Sequence, residues 1–188
     1  MKITEQKIKV HQSLHELFGR ETTRLDLFVI LFGSFVLAVA TQMLCWGSEL
    51  SIAKKIILAF ISLDIGGGII ANFTEGTNNY YAENVKKRYV FIAIHILQPL
   101  ILAWIFPDNL FPILILAGYI LMSSFFVTSI KRKNIQKTVA ITMLLFSIIL
   151  LFLVNLSTQV LQLILLIYSI KLILAFSVDW TNSEKQNE

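Results

Sequence analysis

The stretch Ile56-Ile57-Leu58-Ala59-Phe60-Ile61-Ser62-Leu63-Asp64-Ile65-Gly66-Gly67-Gly68-Ile69-Ile70-Ala71-Asn72-Phe73 carries one charge in 18 residues. Wound as an α-helix at about 1.5 Å per residue it is roughly 27 Å long, close to the ~30 Å hydrocarbon core of a bilayer. It lacks the apolar/polar alternation of a barrel strand, so it predicts a membrane helix. Working outward, the same reading places spans at Leu25–Trp46, Ala53–Phe73, Tyr89–Phe106, Leu110–Ile130, Thr138–Asn155 and Val160–Val178. Apolar residues make up 56% of the chain, charged ones 15%, and mean hydropathy is +0.72, a balance that fits a chain dissolved in lipid.

The expected fold is all-α: a polytopic membrane helical bundle of six transmembrane helices. The connections at Pro107-Asp108-Asn109 and Leu156–Gln159 are short enough to make antiparallel neighbours of the helices they join, which suggests three hairpins in sequence. Three regions follow: residues 1–24 as a cytoplasmic segment, 25–178 as the transmembrane domain and 179–188 as a cytoplasmic polar tail. Ile3, Val10, Leu14 and Leu17 recur at helical spacing opposite Lys7 and Lys9, predicting an amphipathic interfacial helix on the inner leaflet. Thirteen Lys and Arg residues fall on the side of the termini and only Lys54 and Lys55 on the other. The positive-inside rule therefore puts both termini in the cytoplasm, with the cell membrane as the expected location.

The net charge of +4 sits at span ends rather than in a soluble basic region, which argues against a nucleic-acid partner. Membrane lipids are the expected partners, and a homo-oligomer is compatible with the pattern. Cys45 is the only cysteine, so no intrachain disulfide or thiol pair exists. His11 and His15 stand at i and i+4 without a third ligand, so neither a metal site nor a cofactor is expected.

In so apolar a chain the few polar positions inside the spans carry the functional information. Asp64, Gly68, Asn72 and Glu75 follow at intervals of 4, 4 and 3 and share one face of the second helix. Asp64 costs about 2.5–3.5 kcal/mol to insert at mid-span, so it should face the bundle and find a partner. Gly66, Gly67 and Gly68 fit either a break in that helix, which would free backbone groups to line a site, or close packing of a neighbour. On the third span His95, Gln98 and Pro99 lie at a similar depth, and Lys171 on the sixth either pairs with Asp64 or snorkels to the headgroups. Thr74, Thr77 and Asn78 lie in a polar connection just past the second span.

The pattern Asp64-x-x-Gly67-Gly68-x-x-Ala71-Asn72 resembles part of the signature of the CDP-alcohol phosphatidyltransferases over about nine residues. That family's metal-binding aspartates have no counterpart here: Gly67 stands where the second Asp belongs and Asn72 replaces an Arg. The resemblance therefore implies no metal-dependent transferase. Three readings remain: a small transporter or permease subunit using Asp64 and His95, an integral membrane enzyme acting on a lipid or lipid-linked substrate at the cytoplasmic leaflet, and a non-catalytic assembly protein.

Overall fold

Six helices long and apolar enough to cross a membrane form the body of the computed structural model, which describes residues 6–181. They are Arg24–Leu44, Ile52–Phe73, Val85–Ile105, Pro107–Ser129, Lys133–Leu153 and Gln159–Phe176. The outer surface is paved with Phe28, Phe32, Phe35, Phe60, Phe111 and Phe152, an apolar exterior suited to lipid. In chain order the elements are β1 (Lys7–Lys9), α1 (His15–Phe18), β2 (Glu21–Thr23), α2 (Arg24–Leu44), α3 (Ile52–Phe73), α4 (Glu75–Ala82), α5 (Val85–Ile94), α6 (Leu97–Ile105), α7 (Leu110–Ser129), α8 (Lys133–Leu153) and α9 (Gln159–Ser169). The helix begun by α9 continues as a π-helical segment over Ile170–Phe176.

Local chemistry sets the helix starts. Thr23 and Asp26 form a reciprocal capping box on α2, with Asp26 N donating to Thr23 Oγ1 at 3.0 Å. Ser51, Asn84 and Thr158 accept from backbone amides in the first turns of α3, α5 and α9. The third span is interrupted at His95 and Ile96 because Pro99 has no N–H for the carbonyl of His95, four residues back, and its ring crowds that carbonyl.

α2 and α3 pack antiparallel, with Thr41 and Ser62 hydroxyls 2.7 Å apart and Gln42 Nε2 donating to Lys55 O. The last span is the most buried of the six and touches α2, α3, α7 and α8, so it is the post around which the others stand. The main core lies along it, with Leu161, Ile164, Leu165, Leu172 and Ile173 fully buried against Leu58, Ile65, Leu116 and Ile120.

The N-terminal segment differs from the amphipathic helix expected of it. Among the described residues, β1 and β2 pair antiparallel in the register Lys7↔Thr23, Ile8↔Thr22, Lys9↔Glu21, and only His15–Phe18 are α-helical. The Lys7-Ile8-Lys9 alternation suits a strand, and Gly19 at φ +73° ends the helical spacing of Val10, Leu14 and Leu17 after one turn. Ile3 lies outside the described residues. The connection holding Thr74, Thr77 and Asn78 is likewise no loop: it contains the eight-residue helix α4. The N-terminal unit docks on α4, where Thr77 Oγ1 donates to Leu17 O at 2.9 Å, Tyr81 Oη to Glu16 O at 3.2 Å, and Arg20 pairs with Glu83 at 2.8 Å. Burial holds the Tyr81 phenol well above its ordinary pKa, so it stays a donor. At the centre of the contact the two backbones meet at Gly19 and Gly76, where a Cβ on Gly76 would lie 2.1 Å from Glu21 O.

The chain beyond the last span is clasped onto the same end of the bundle. Buried Gln136 donates to Val127 O and Ser177 O and accepts from Asp179 N, tying α7, α8 and the last span together. Asp179 takes Lys133 at 3.2 Å and the amide and hydroxyl of Thr181. Burial alone would raise its pKa, but the Thr181 and Lys133 hydrogen bonds outweigh burial and hold it below the usual carboxylate value.

Two outcomes are expected. Gly76→Ala should cost about 1–3 kcal/mol through overpacking, and trypsin should then cut within residues 7–23 markedly faster than in the parent; unchanged cleavage would refute the backbone contact. Because the folded pKa of Asp179 is depressed, its contribution is fully present above the unfolded value and is lost as pH falls through the folded one. The melting-temperature gap between parent and Asp179→Asn should therefore be largest near neutrality and close in acid, which a pH series of thermal melts in detergent will test.

Candidate functional site

Three charged or titratable side chains meet in the middle of the bundle. Asp64 lies on α3, roughly 18 Å from the Ile52 end and 14 Å from the Phe73 end by helical rise. Lys171, on the first turn of the π-helical segment, donates to Asp64 Oδ2 at 2.5 Å and to the Asp64 carbonyl at 3.3 Å. Gln98 Nε2, from α6, donates to the same Oδ2 at 2.5 Å, and His95 Nε2 stands 4.0 Å from it.

Each partner is positioned by an identifiable feature of the chain. Lys171 pairs with Asp64 and does not snorkel; its side chain is only 1% exposed. Its stem passes α3 at Gly68, where a Cβ would lie 2.6 Å from Lys171 Cε, so any larger residue would obstruct the lysine. Gly66 and Gly67 pack against α2, where added Cβ atoms would meet Leu37 and the Ser34 hydroxyl. α3 runs unbroken through all three glycines. Their use is close approach, and the helix break that they also permitted is not formed.

His95 is held by its own helix. Nδ1 lies 2.7 Å from Phe91 O, and because a carbonyl only accepts, Nδ1 carries the proton. That leaves Nε2 as the ring atom free to gain or lose a proton, and it is the atom that faces Asp64. The His95 carbonyl, deprived by Pro99 of its usual amide, accepts from Gln98 N at 3.3 Å and from the buried Tyr168 hydroxyl at 2.9 Å. The Phe91 ring stacks at 3.9 Å on Phe176 and lies 4.0 Å from the imidazole, walling the cluster on the side toward α4.

The cluster is asymmetric. Lys171 and His95 are buried, whereas 47% of the Asp64 side chain is exposed, on the flank of α3 beside α6. Opposite-sign charges this close, with added hydrogen bonds, are the arrangement that makes intramembrane ions tolerable.

Not all the expected residues join the cluster. Asp64, Gly68, His95, Gln98 and Lys171 come together. Asn72, on the same helix face, bonds back to Gly68 O at 2.7 Å within its own helix. Glu75 begins α4 and pairs with Lys7 at 3.8 Å. Thr74 donates to Ala71 O, Thr77 docks the N-terminal unit, and Asn78 accepts from Arg88 and from Trp180 N. Tyr168 and Phe91 were missed from sequence, although the i, i+3 spacing of Tyr168 and Lys171 places both on one face of the last span. Among the described residues, no group of three His, Cys, Asp or Glu side chains is placed to hold a metal ion.

No family model matches this chain, and neither a curated protein nor a solved structure does.

The ion pair generates a stability test. Asp64→Ala should cost about 3–5 kcal/mol by stranding the Lys171 ammonium, whereas Asp64→Ala with Lys171→Met should recover most of the loss. Thermal melts of the two variants in detergent decide it; equal destabilisation would mean that Lys171 does not depend on the carboxylate.

Proposed function

We propose that this multi-pass membrane protein is a small transporter or permease subunit whose working site is the cluster of Asp64, His95, Gln98 and Lys171. In this reading its six spans form three hairpins in the cell membrane, with both termini cytoplasmic, and the subunit works as a homo-oligomer. The observation that carries the proposal is the facing of two proton acceptors. His95 Nε2 points at Asp64 Oδ2 across 4.0 Å, while Lys171 supplies a fixed positive charge to the same oxygen. A proton or small cation arriving at Asp64 competes with Lys171 for the carboxylate, and His95 offers a second basic atom within one transfer of it. Such a site near the bilayer midplane is where alternating-access proteins bind their coupling ions.

The exposure of Asp64 on the bundle flank supports a second reading, an enzyme for a lipid or lipid-linked substrate, because a carboxylate open toward lipid is reachable by an acyl or polyprenyl chain carrying a headgroup. There Asp64 and His95 serve as the acid/base pair.

Proteoliposomes separate these readings from a purely structural role. Asp64→Asn combined with Lys171→Met makes the site neutral without stranding a charge, and should leave the fold intact. If the cluster transports, this double variant should lose pH- or solute-dependent flux at parental stability. Parental flux in the double variant would overturn the transporter reading and leave the cluster a packing device. A substrate and product pair changing in the lipids of cells that express parent but not variant would instead support the enzyme.

A further inference from the structure

Away from that cluster, at the end of the bundle that carries α4 and the N-terminal unit, a cleft of about 440 Å³ opens between α5, the α7–α8 connection and the C-terminal clasp. Its lining includes Arg88, Thr128, Ser129, Lys131, Lys133 and Asp179. Arg88 is 3% exposed and makes no ion pair among the described residues. One guanidinium nitrogen donates to the neutral Asn78 side chain at 3.1 Å, and Nε has no hydrogen-bond partner. The hydroxyl of buried Thr128, on the same cleft, also lacks one. The one acid in the lining, Asp179, is engaged by Lys133 and Thr181 and acts on Arg88 only through space.

A buried guanidinium without a carboxylate is costly. Here it shares a cleft with an unpartnered hydroxyl and with Lys131, a donor set that matches a phosphate. Depth agrees: Arg88 is three residues into α5 and Thr128 one residue from the end of α7, so the cleft lies at the level of lipid headgroups if these helices span a bilayer. We propose that this cleft is a phosphate-binding site, in which Arg88, Thr128 and Lys131 hold the phosphate of an anionic lipid headgroup or of a soluble phosphate compound.

The test measures binding to the purified full-length protein in detergent by thermal shift and native mass spectrometry. The probes are short-chain phosphatidylglycerol, short-chain phosphatidylcholine and inorganic phosphate. Arg88→Gln is a risky variant because Arg88 is buried, so the diagnostic ones are Thr128→Val and Lys131→Gln, with exposed Lys86→Gln as the control outside the cleft. Lys131→Gln should weaken binding about fivefold, the effect of one interfacial charge, with a loss in Thr128→Val and none in Lys86→Gln. Phosphatidylglycerol binding that phosphate does not displace identifies a headgroup site; phosphate binding with the same variant pattern identifies a soluble ligand. Either supports the proposal. Equal losses in Lys131→Gln and Lys86→Gln would reduce the effect to diffuse surface charge and overturn it, as would no preference for either anionic probe over phosphatidylcholine.

Discussion

Lys171 is an ammonium with almost no exposed surface, five residues from the Phe176 end of the most central helix, and much of the inner architecture follows from satisfying it. Removing such an ion from water costs several kcal/mol even after relaxation, and only a close counter-charge with further hydrogen bonds repays that. Asp64 supplies both a carboxylate oxygen and a backbone carbonyl. Gly68 supplies the room for the stem, and a Cβ there would push the lysine from its present path. The cation also lies 5.7 Å from the Phe91 ring, whose face is mildly attractive to it. The helix that bears Lys171 changes from α to π winding one residue earlier, at Ile170, and is stitched back at Ser177, whose amide reaches Leu172 O five residues behind. Such π segments often accompany functional positions.

A second constraint acts on the third span. Pro99 removes the amide that would have served the His95 carbonyl, and the chain meets this with the Tyr168 hydroxyl from the same helix that carries Lys171. The break in the third span and the buried lysine of the sixth are thus coupled through one helix. Moving Tyr168 would leave the His95 carbonyl only the longer Gln98 amide bond, and moving Lys171 would leave the Asp64 carboxylate with Gln98 Nε2 as its one close donor. Two polar requirements, Tyr168 meeting the third span and Lys171 meeting the second, hold the last span in one position against both, more strictly than apolar side chains alone would do.

Much of this was legible in the amino-acid order. Hydropathy located all six spans to within a few residues, because every backbone group in a lipid-crossing segment must be satisfied by its own helix and little else competes with that requirement. Asp64, His95, Gln98 and Lys171 stood out because polar residues are scarce in such segments. Similar depth suggested contact between Asp64 and His95 and left Lys171 open between pairing and snorkelling; in the structure Lys171 and Gln98 both bond the Asp64 carboxylate that His95 faces. The remainder was illegible for definable reasons. Asn72 shares a helix face with Asp64, yet a short amide can be satisfied by its own helix, and spacing cannot tell that from a tertiary contact. The N-terminal segment carries a helical spacing in one set of residues and a strand alternation in Lys7-Ile8-Lys9; the contact with α4 through Gly19 and Gly76 decides between them. Arg88 and Gln136 lie near helix ends, where charged and polar residues are common, and their burial comes from tertiary contacts that no local spacing announces.

The unequal burial within the ion pair bears on how the proposed site would work. Lys171 is enclosed and cannot meet anything outside the bundle, whereas nearly half of the Asp64 side chain is open. Whatever exchanges with the cluster must therefore engage the carboxylate first and be felt by the lysine second. A proton placed on Asp64 would weaken its hold on Lys171 while both remain in place, and His95 Nε2 is the nearest basic atom able to share that proton. An ammonium left without its counter-ion in so apolar a setting would lean on its remaining acceptor, the Asp64 carbonyl at 3.3 Å. In the proposed site, protonation at the exposed member would thereby be converted into displacement at the buried one, on the helix that contacts most of the others. That would give a local event at the flank of α3 a mechanical route to the centre of the bundle.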